Sequence, residues 1–131
     1  MDNGMDVEMI VPMLMDCAKN IRRQLGAGYL ESVYKNAMLI ELRKRGLKYE
    51  VERPINVYYD KQIVGMFKAD IIVEDSIILE LKAVNGINIA HEVQLVNYLT
   101  ATGIDNGLLI NFGAEHLQFK RKFRLYPKKF Q

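Results

Sequence analysis

Three charged residues of this sequence have the types and the spacing that metal-assisted hydrolysis requires. Asp70 lies ten residues before Glu80, and Lys82 follows Glu80 after a single residue. They fall in two apolar segments that are typical of neighbouring strands joined by a short turn. If that turn is centred on Asp75, Asp70 lies directly opposite Glu80. The same register places Lys68 directly opposite Lys82, so the sequence predicts two facing acids, flanked by lysines, at one end of a hairpin.

Two carboxylates that face each other on a partly covered sheet repel, and each of them loses hydration. A hard divalent cation such as Mg²⁺ or Mn²⁺ would compensate both charges and would keep waters available for attack. Lys82 lies on the same face as Glu80, where its ammonium could orient or deprotonate such a water or stabilise a phosphate during cleavage. The spacing also allows a purely structural hairpin, in which Lys68 and Lys82 neutralise the acids.

The hydrophobic pattern predicts the elements that position these residues, in the order α-α-β-β-β-α-β-β. Apolar residues from Val7 to Leu25 recur with the period of a helix, and Pro12 marks either a kink or the true start of that helix. Cations before Gly46 indicate the end of a second helix. Asn88 and Gly103 are suited to begin and end a third. The predicted bounds are 29–45 and 89–102 for the later helices, and 48–58, 63–73, 77–84, 107–112 and 117–124 for the strands.

Two groups of apolar residues are expected to face the core. One side of the second helix carries Leu30, Val33, Tyr34, Ala37 and Leu42. One face of the hairpin pairs Ala69 with Leu81, Ile71 with Leu79, and Val73 with Ile77. Pro54 interrupts the strand before this hairpin, which is typical of an edge strand or of a bulge. The elements together imply a mixed sheet with helices packed on it.

The length of 131 residues and the ordinary composition predict a single domain that spans residues 1–131. The acidic start of the sequence is unlike a secretory signal, and no apolar run is long enough to cross a bilayer. The single cysteine, Cys17, excludes an internal disulfide and a cysteine metal cluster. We therefore expect a cytoplasmic protein with no membrane segment.

Basic residues cluster in three places, although the net charge is only +2. No acidic residue follows His116, and that last segment contains Lys120, Arg121, Lys122, Arg124, Lys128 and Lys129. The other two clusters are Arg43, Lys44, Arg45 and Lys48, and Lys19, Arg22 and Arg23. Such clusters can contact phosphates, but they can also be solvated surface, and both interpretations stay open.

The segment Gly28–Tyr34, with the sequence GYLESVY, resembles the signature of the GxxExxY family. Members of that family resemble PD-(D/E)XK nucleases, the restriction-endonuclease-like superfamily. The similarity continues through later segments of the chain and covers residues 15–125. These segments are Phe67–Asp70, Glu80–Val84, His91–Leu99 and Leu108–Gly113.

The resemblance implies an α/β fold with a mixed central sheet, an αβββαβ core and an added N-terminal helix. It also implies cleavage of phosphodiester bonds that depends on Mg²⁺ or Mn²⁺. Asp70 and Glu80 correspond to the metal-binding acids, and Lys82 corresponds to the catalytic lysine. Glu31 corresponds to an acid that enters the same site from a helix and binds the metal there. The backbone carbonyl of Leu81 is expected to join the acids as a metal ligand.

Gln94 and Tyr98 resemble the Gln-x-x-x-Tyr motif of the exonuclease-like branch of the superfamily. The resemblance implies that they hold a phosphate or a metal-bound water, although a polar stripe is often only the solvated side of a helix. His91 shares their side of the helix and is better explained by packing or hydrogen bonding at the helix start. Without the resemblance, Glu31 would be explained by the helix dipole. For Tyr34, core packing and direct chemistry both stay open.

The combined interpretation is a metal-dependent nuclease that acts on DNA. The basic residues expected to hold the strand are Arg43, Lys44, Lys120, Arg121 and Lys122. One alternative is a nucleic-acid-binding or adaptor module that keeps the nuclease fold but is catalytically silent. Another is a purely structural homo-oligomer, for example a homodimer, with an interface formed by residues 87–89 or by the first helix.

Overall fold

The computed structural model describes residues 6–125, and its elements surround one five-stranded sheet. In chain order they are α1 (Val7–Leu25), α2 (Glu31–Lys44), β1 (Tyr49–Tyr59), β2 (Gln62–Val73), β3 (Ile77–Lys82), α3 (Ile89–Thr102), β4 (Asn106–Asn111) and β5 (Gln118–Phe123). The predicted order of the elements is confirmed, and each predicted bound lies within two residues of the observed one.

The strands lie in the order β1-β2-β3-β4-β5. Only β3 and β4 are parallel, and α3 provides the crossover that parallel neighbours need. At the start of α3, Asn88 Oδ1 accepts from the N–H of His91, while Nδ1 of His91 accepts from the N–H of Asn88. Gly103 ends the helix with a φ of 77°. The fold is thus the expected mixed α/β fold with an added N-terminal helix, and His91 belongs to a helix cap.

Two hydrophobic cores lie on the two faces of the sheet. The first packs α1 and α2 against one face, and its fully buried residues include Ile10, Leu14, Tyr34, Met38, Leu42 and Leu79. The second packs α3 against the other face and includes Ile72, Ile78, Leu95, Leu99 and Leu109. Because β3 is covered on both faces, its first three residues, Ile77, Ile78 and Leu79, are apolar in succession rather than alternately. No helix among residues 6–125 has the length and apolarity to span a membrane.

The hairpin of β2 and β3 has the predicted register, but it is shorter than predicted. Its paired residues are Ile71 with Leu79, Ile72 with Ile78, and Val73 with Ile77. The turn is therefore centred on Asp75, and the prediction is confirmed for these pairs. The ladder then stops, so that Asp70 forms no backbone pair with Glu80 and Lys68 forms none with Lys82. The two strands separate at the acids.

Regular alternation along β2 ends at Asp70. The sequence predicts Ala69 on the face of Ile71, and this prediction is wrong, because Ala69 packs with Ile72 in the core on the α3 side. On the neighbouring strand β1, Glu52 has a φ of 53°, and the ladder omits the pair of Glu52 with Asp70. Around Asp70 the side chains therefore face other sides of the sheet than regular alternation predicts, as is often seen at bulges beside functional sites.

Three other details refine the sequence pattern. Leu30 is 78% exposed rather than buried, because it precedes the first residue of α2 and has an extended backbone. Met38 lies on the buried side of that helix instead.

The first helix runs unbroken past Pro12 from its cap at Asp6. β1 is an edge strand, and Pro54 pairs there in register with β2, which confirms the edge interpretation of this proline.

The end of β3 is held by the buried amide of Asn111, the last residue of β4, and by Gly113 in the segment that follows. The side chain of Asn111 accepts from the N–H of Val84 (3.0 Å) and donates to its carbonyl (2.9 Å). A Cβ atom on Gly113 would lie 2.5 Å from the carbonyl carbon of Ala83 and from the nitrogen of Val84. Only glycine fits this close approach, which fixes the chain directly after Lys82.

We predict that Gly113→Ala lowers the free energy of unfolding by about 2–3 kcal/mol, because the added methyl group forces two backbone segments apart. Gly86→Ala is the matched control, since a Cβ there meets nothing within 4 Å, and we expect a change within about 0.5 kcal/mol. Chemical denaturation followed by circular dichroism measures both. Equal stability of the two variants would contradict the close approach at Gly113.

Candidate active site

Asp70 and Glu80 meet where β2 and β3 separate, and each carboxylate bonds to the backbone of the other strand. The N–H of Asp70 donates to Oε2 of Glu80 at 2.8 Å. The N–H of Leu81 donates to Oδ2 of Asp70 at 2.9 Å. These two bonds satisfy backbone donors that have no ladder partner here. They fix the two acids next to each other.

Burial and the closeness of the two acids oppose ionisation of Glu80, and no described side chain supplies a bound counter-charge that would offset this cost. Glu80 is 5% exposed, and burial, followed by the charge of Asp70, raises its pKa to about 8. The hydrogen bond from Asp70 N–H and the charge of Lys82 act in the opposite direction. However, the ammonium of Lys82 forms no ion pair or hydrogen bond with any described residue. A buried carboxylate therefore remains without a bound counter-charge.

Glu31 approaches the pair as the first residue of α2. Partial burial and the charge of Asp70 raise the pKa of Glu31, whereas the charges of Lys82 and Lys35 lower it. Its carboxylate is thus within electrostatic range of the pair, although the residue as a whole is exposed. Among residues 6–125, no three His, Cys, Asp or Glu side chains are gathered closely enough to hold a metal by themselves. Glu31 is therefore an electrostatic neighbour of the pair.

Tyr34 fixes the loop that delivers Glu31 to this position. Its ring is fully buried and stacks on Phe112, with the ring centroids 4.6 Å apart and the planes at 6°. Its hydroxyl donates to the carbonyl of Gly26 at 2.7 Å. The same hydroxyl accepts from the N–H of Tyr29 at 3.2 Å. Tyr34 therefore joins both ends of the α1–α2 loop, which favours core packing over direct chemistry for this residue.

Tyr98 and Gln94 line a groove beside the acids on α3. Tyr98 is largely buried, and its burial, followed by the charges of Glu80 and Asp70, raises the pKa of its hydroxyl. Gln94 lies one helical turn earlier, is half-buried, and makes no side-chain hydrogen bond with a described residue. The structure therefore brings Tyr98 to the acids and leaves the Gln94 amide available inside the groove.

The oxygen atoms at the acid pair fit a hard divalent cation. Oδ1 of Asp70 and Oε1 of Glu80 accept no hydrogen bond from any described residue. Leu81 directs its N–H toward β2, and the carbonyl of a strand residue points to the same side as its N–H. Carboxylate and carbonyl oxygens are the ligands that Mg²⁺ and Mn²⁺ prefer. The donor set and the uncompensated charge together suit such an ion.

Most of the basic residues expected to hold nucleic acid bond to neighbouring side chains other than the acids of the site. These contacts are Arg121 with Glu8 (2.8 Å), Lys122 with Glu92 (3.0 Å), Lys44 with Glu41 (3.4 Å), and Arg43 with the hydroxyl of Tyr49 (2.8 Å). Lys120 is exposed, and Lys128 and Lys129 lie outside the described residues. Arg43 is twelve residues from Glu31 along α2, which corresponds to about 18 Å.

Two further lysines lie near the acids: the sequence reasoning missed Lys35, and it considered Lys68 only as a structural neighbour of the acids. Lys35 of α2 forms an ion pair with Glu52 of β1 at 3.0 Å, opposite Asp70. Lys68 is exposed on β2, two residues before Asp70, and its charge lowers the pKa of Glu52. The spacing of Lys35 four residues after Glu31 was the available signal, because such residues share one side of a helix.

Comparisons with known proteins agree with this architecture. A family model described as the PD-(D/E)XK nuclease superfamily matches residues 8–122. A solved structure described as "Crystal structure of SSO0001" superposes with a TM-score of 0.59 and 17% sequence identity. The match covers 74% of this chain and 52% of that chain, so this chain spans about half the length of the solved protein. At that identity the likeness concerns the fold alone. No curated protein matches the sequence.

We predict that Tyr34→Phe lowers the free energy of unfolding by about 1 kcal/mol, because two partly buried backbone groups lose their partner while the ring stack is kept. Tyr29→Phe is the matched control. Its ring is 51% exposed and its hydroxyl bonds to no described residue, so we expect less than about 0.5 kcal/mol. Urea denaturation measures the stability of both variants. Equal losses of stability would contradict the role of the Tyr34 hydroxyl in joining the two ends of the α1–α2 loop.

We predict that the metal-free protein becomes less stable as the pH rises from about 4.5 to about 8. In that range Glu80 keeps its proton in the folded state and loses it in the unfolded state, so the folded state binds more protons and a rise in pH favours unfolding. Glu80→Gln should remove this contribution and should exceed the wild type in stability at pH 8 by about 2 kcal/mol.

Denaturation in chelator-treated buffers across this pH range provides the measurement. Glu115→Gln is the control, since Glu115 is exposed, and its curve should run parallel to that of the wild type. If the Glu80→Gln curve is also parallel to the wild-type curve, Glu80 is not the buried acid described above.

Proposed function

The chain belongs to the PD-(D/E)XK nuclease superfamily, whose members are typically nucleases, and from this premise we propose that it cleaves phosphodiester bonds in DNA with Mg²⁺ or Mn²⁺. The observation that carries the proposal is the buried acid pair of Asp70 and Glu80, held at the point where two strands separate. Within the superfamily we propose the GxxExxY group, on the basis of Gly28, Glu31 and Tyr34.

In this proposal the metal ligands are Oδ1 of Asp70, Oε1 of Glu80 and the backbone carbonyl of Leu81. A bound Mg²⁺ or Mn²⁺ supplies polarisation of the scissile phosphate and a lowered pKa for a coordinated water. The protein's own part is to hold the two acids in a fixed relation, through their bonds to the opposite backbone, before any substrate arrives. Glu31 would bind the metal or a water next to it from the start of α2.

Lys82 is the proposed catalytic lysine. Its ammonium bonds to no described residue, and the next part of the chain is fixed by Asn111 and Gly113. A cation that is held in place but not engaged in an ion pair can stabilise the charge that develops on a phosphate, or can orient the attacking water. Tyr98 and Gln94 would contact the phosphate or a nearby water from α3.

The strand itself would be held by basic residues in two zones. Lys35 and Lys68 lie near the acids, and we propose that they contact the phosphates next to the scissile one. The more distant residues proposed for nucleic-acid binding are Arg43, Lys44, Lys120, Arg121 and Lys122. Most of these form surface contacts that contribute little to stability, so a phosphate can replace the present partner at small cost.

We predict that Asp70→Asn and Lys82→Met each reduce metal-dependent cleavage at least about 100-fold, since each removes a group at the reacting phosphate. Glu115→Gln and Lys48→Met are the matched controls, because both residues are exposed and neither belongs to the proposed site. A panel of end-labelled single- and double-stranded DNA and RNA, with Mg²⁺ or Mn²⁺, measures the activity. Circular dichroism verifies that every variant is folded.

The proposal fails if the wild type and both site variants are equally inert on every substrate. Binding that persists in chelator, without cleavage after metal is restored, would instead indicate a catalytically silent nucleic-acid-binding module. A residual activity that Asp70→Asn leaves unchanged would indicate a contaminating nuclease.

A further inference from the structure

A large open groove shares one residue, Tyr98, with the surroundings of the acid pair. It has a volume of about 1020 Å³ and runs between α3 and the hairpin of β1 and β2. One wall consists of α3 residues from Ile89 to Ala101, and the other consists of Asn56–Tyr58 and Phe67. Tyr98 belongs both to this groove and to the surroundings of the acids, so the two sites are continuous.

The chemistry of the groove differs from that of the acid site. None of the described residues that line it is charged. Aromatic rings provide flat apolar surface, since Phe67 contacts Tyr98 with the ring centroids 5.7 Å apart, and Tyr58 is 60% exposed nearby. The polar groups in the lining are the amides Asn56, Gln94 and Asn97 and the hydroxyl of Thr100. Flat surfaces combined with neutral donors and acceptors suit a planar, uncharged ligand that forms hydrogen bonds.

The side chain of Asn56 is the second feature of the groove that is consistent with ligand binding. Its Oδ1 is shut off from solvent and has no hydrogen-bond partner. Its amide makes no hydrogen bond with any described residue, so nothing fixes its orientation. A buried amide without a partner is costly, and such groups are rare in folded proteins. A small rotation would present this amide to a ligand in the groove.

We propose that the groove is a base-binding subsite, which receives an unpaired nucleobase of the strand whose phosphate lies at Asp70 and Glu80. The inference rests on the proposed function, because the strand is that of the nuclease substrate. A phosphate would find no cation in the groove, whereas a base can stack on the rings and bond to the amides. Since a base in a duplex is stacked and paired, the substrate must be single-stranded or locally opened.

A second copy of the chain is the competing occupant of this apolar surface. It would bury the exposed Ile89 and Val93 equally well. However, a protein contact does not require the amides and the hydroxyl to lie within the groove, nor its continuity with the acid site. A base requires both, because it is attached to the phosphate at the acids and must form hydrogen bonds inside the groove.

The test compares two single-stranded oligonucleotides of equal length and charge, one with bases and one with abasic sugars throughout. Binding is measured by fluorescence anisotropy with Ca²⁺ in place of Mg²⁺ and Mn²⁺, so that the acids hold a hard divalent cation, and a gel verifies that the strands stay intact. We expect the wild type to bind the base-bearing strand about tenfold more tightly. Phe67→Leu should abolish this preference, because leucine is apolar but cannot stack, and Phe67→Trp should retain it. Tyr59→Leu is the control, since Tyr59 is a 75% exposed ring on β1 that does not line the groove.

Equal affinity for the two strands, including undetectable binding of both, overturns the subsite. It is also overturned if Phe67→Leu weakens binding of both strands alike, or if it dissolves a dimer and leaves the base preference intact. The cleavage assay separates this inference from the proposed function. Base preference without cleavage contradicts only the nuclease, whereas cleavage without base preference contradicts only the subsite.

Discussion

The structure depends on one unfavourable juxtaposition, which is the placement of Asp70 beside the buried Glu80. Two neighbouring carboxylates with little access to water repel each other, and the raised pKa of Glu80 is a measure of that cost. The fold tolerates the pair because both carboxylates take hydrogen bonds from backbone amides exposed by the separating strands. Below the pair, the same strands are joined in a regular ladder and covered by helices on both faces, so the surrounding structure is rigid enough to hold it.

The supporting elements act mainly by restricting where the chain can go. Gly28 adopts a φ of 111°, which a side chain would disfavour, and Tyr34 then closes the loop by bonding to both of its sides. The signature of glycine, glutamate and tyrosine therefore has a physical explanation: a turn, a charged residue at the start of a helix, and a buried clamp that fixes that start. Asn111 and Gly113 act in the same way on the chain after Lys82.

Much of this arrangement could be predicted because it follows local rules. The centre of the hairpin at Asp75 fixes the register, and the caps Asn88 and Gly103 fix the bounds of α3. Neither the exchange of ladder bonds for side-chain bonds nor the shifted face of Ala69 could be predicted, because both depart from regular strand pairing and the pattern of residue types does not mark such departures. The ion-pair partners of the basic residues could not be predicted from the sequence either. Arg121 and Glu8 are 113 positions apart, and nothing in a single sequence shows that they meet.

Charged residues lie on one side of the site and uncharged residues on the other, and this difference determines how a nucleotide would be oriented there. On the side of α2 and β2 lie the acids and the unpaired or exposed lysines, which suits a metal ion and a phosphate chain. On the side of α3 and the β1–β2 hairpin, the groove is aromatic and uncharged. Tyr98 separates the two, with its hydroxyl near the acids and its ring against Phe67. A nucleotide has the same division, since its charge lies on the phosphate and its flat, neutral part lies on the base. The phosphate would therefore lie toward β3 and the base toward α3, because the reverse orientation would place a phosphate among side chains that carry no positive charge.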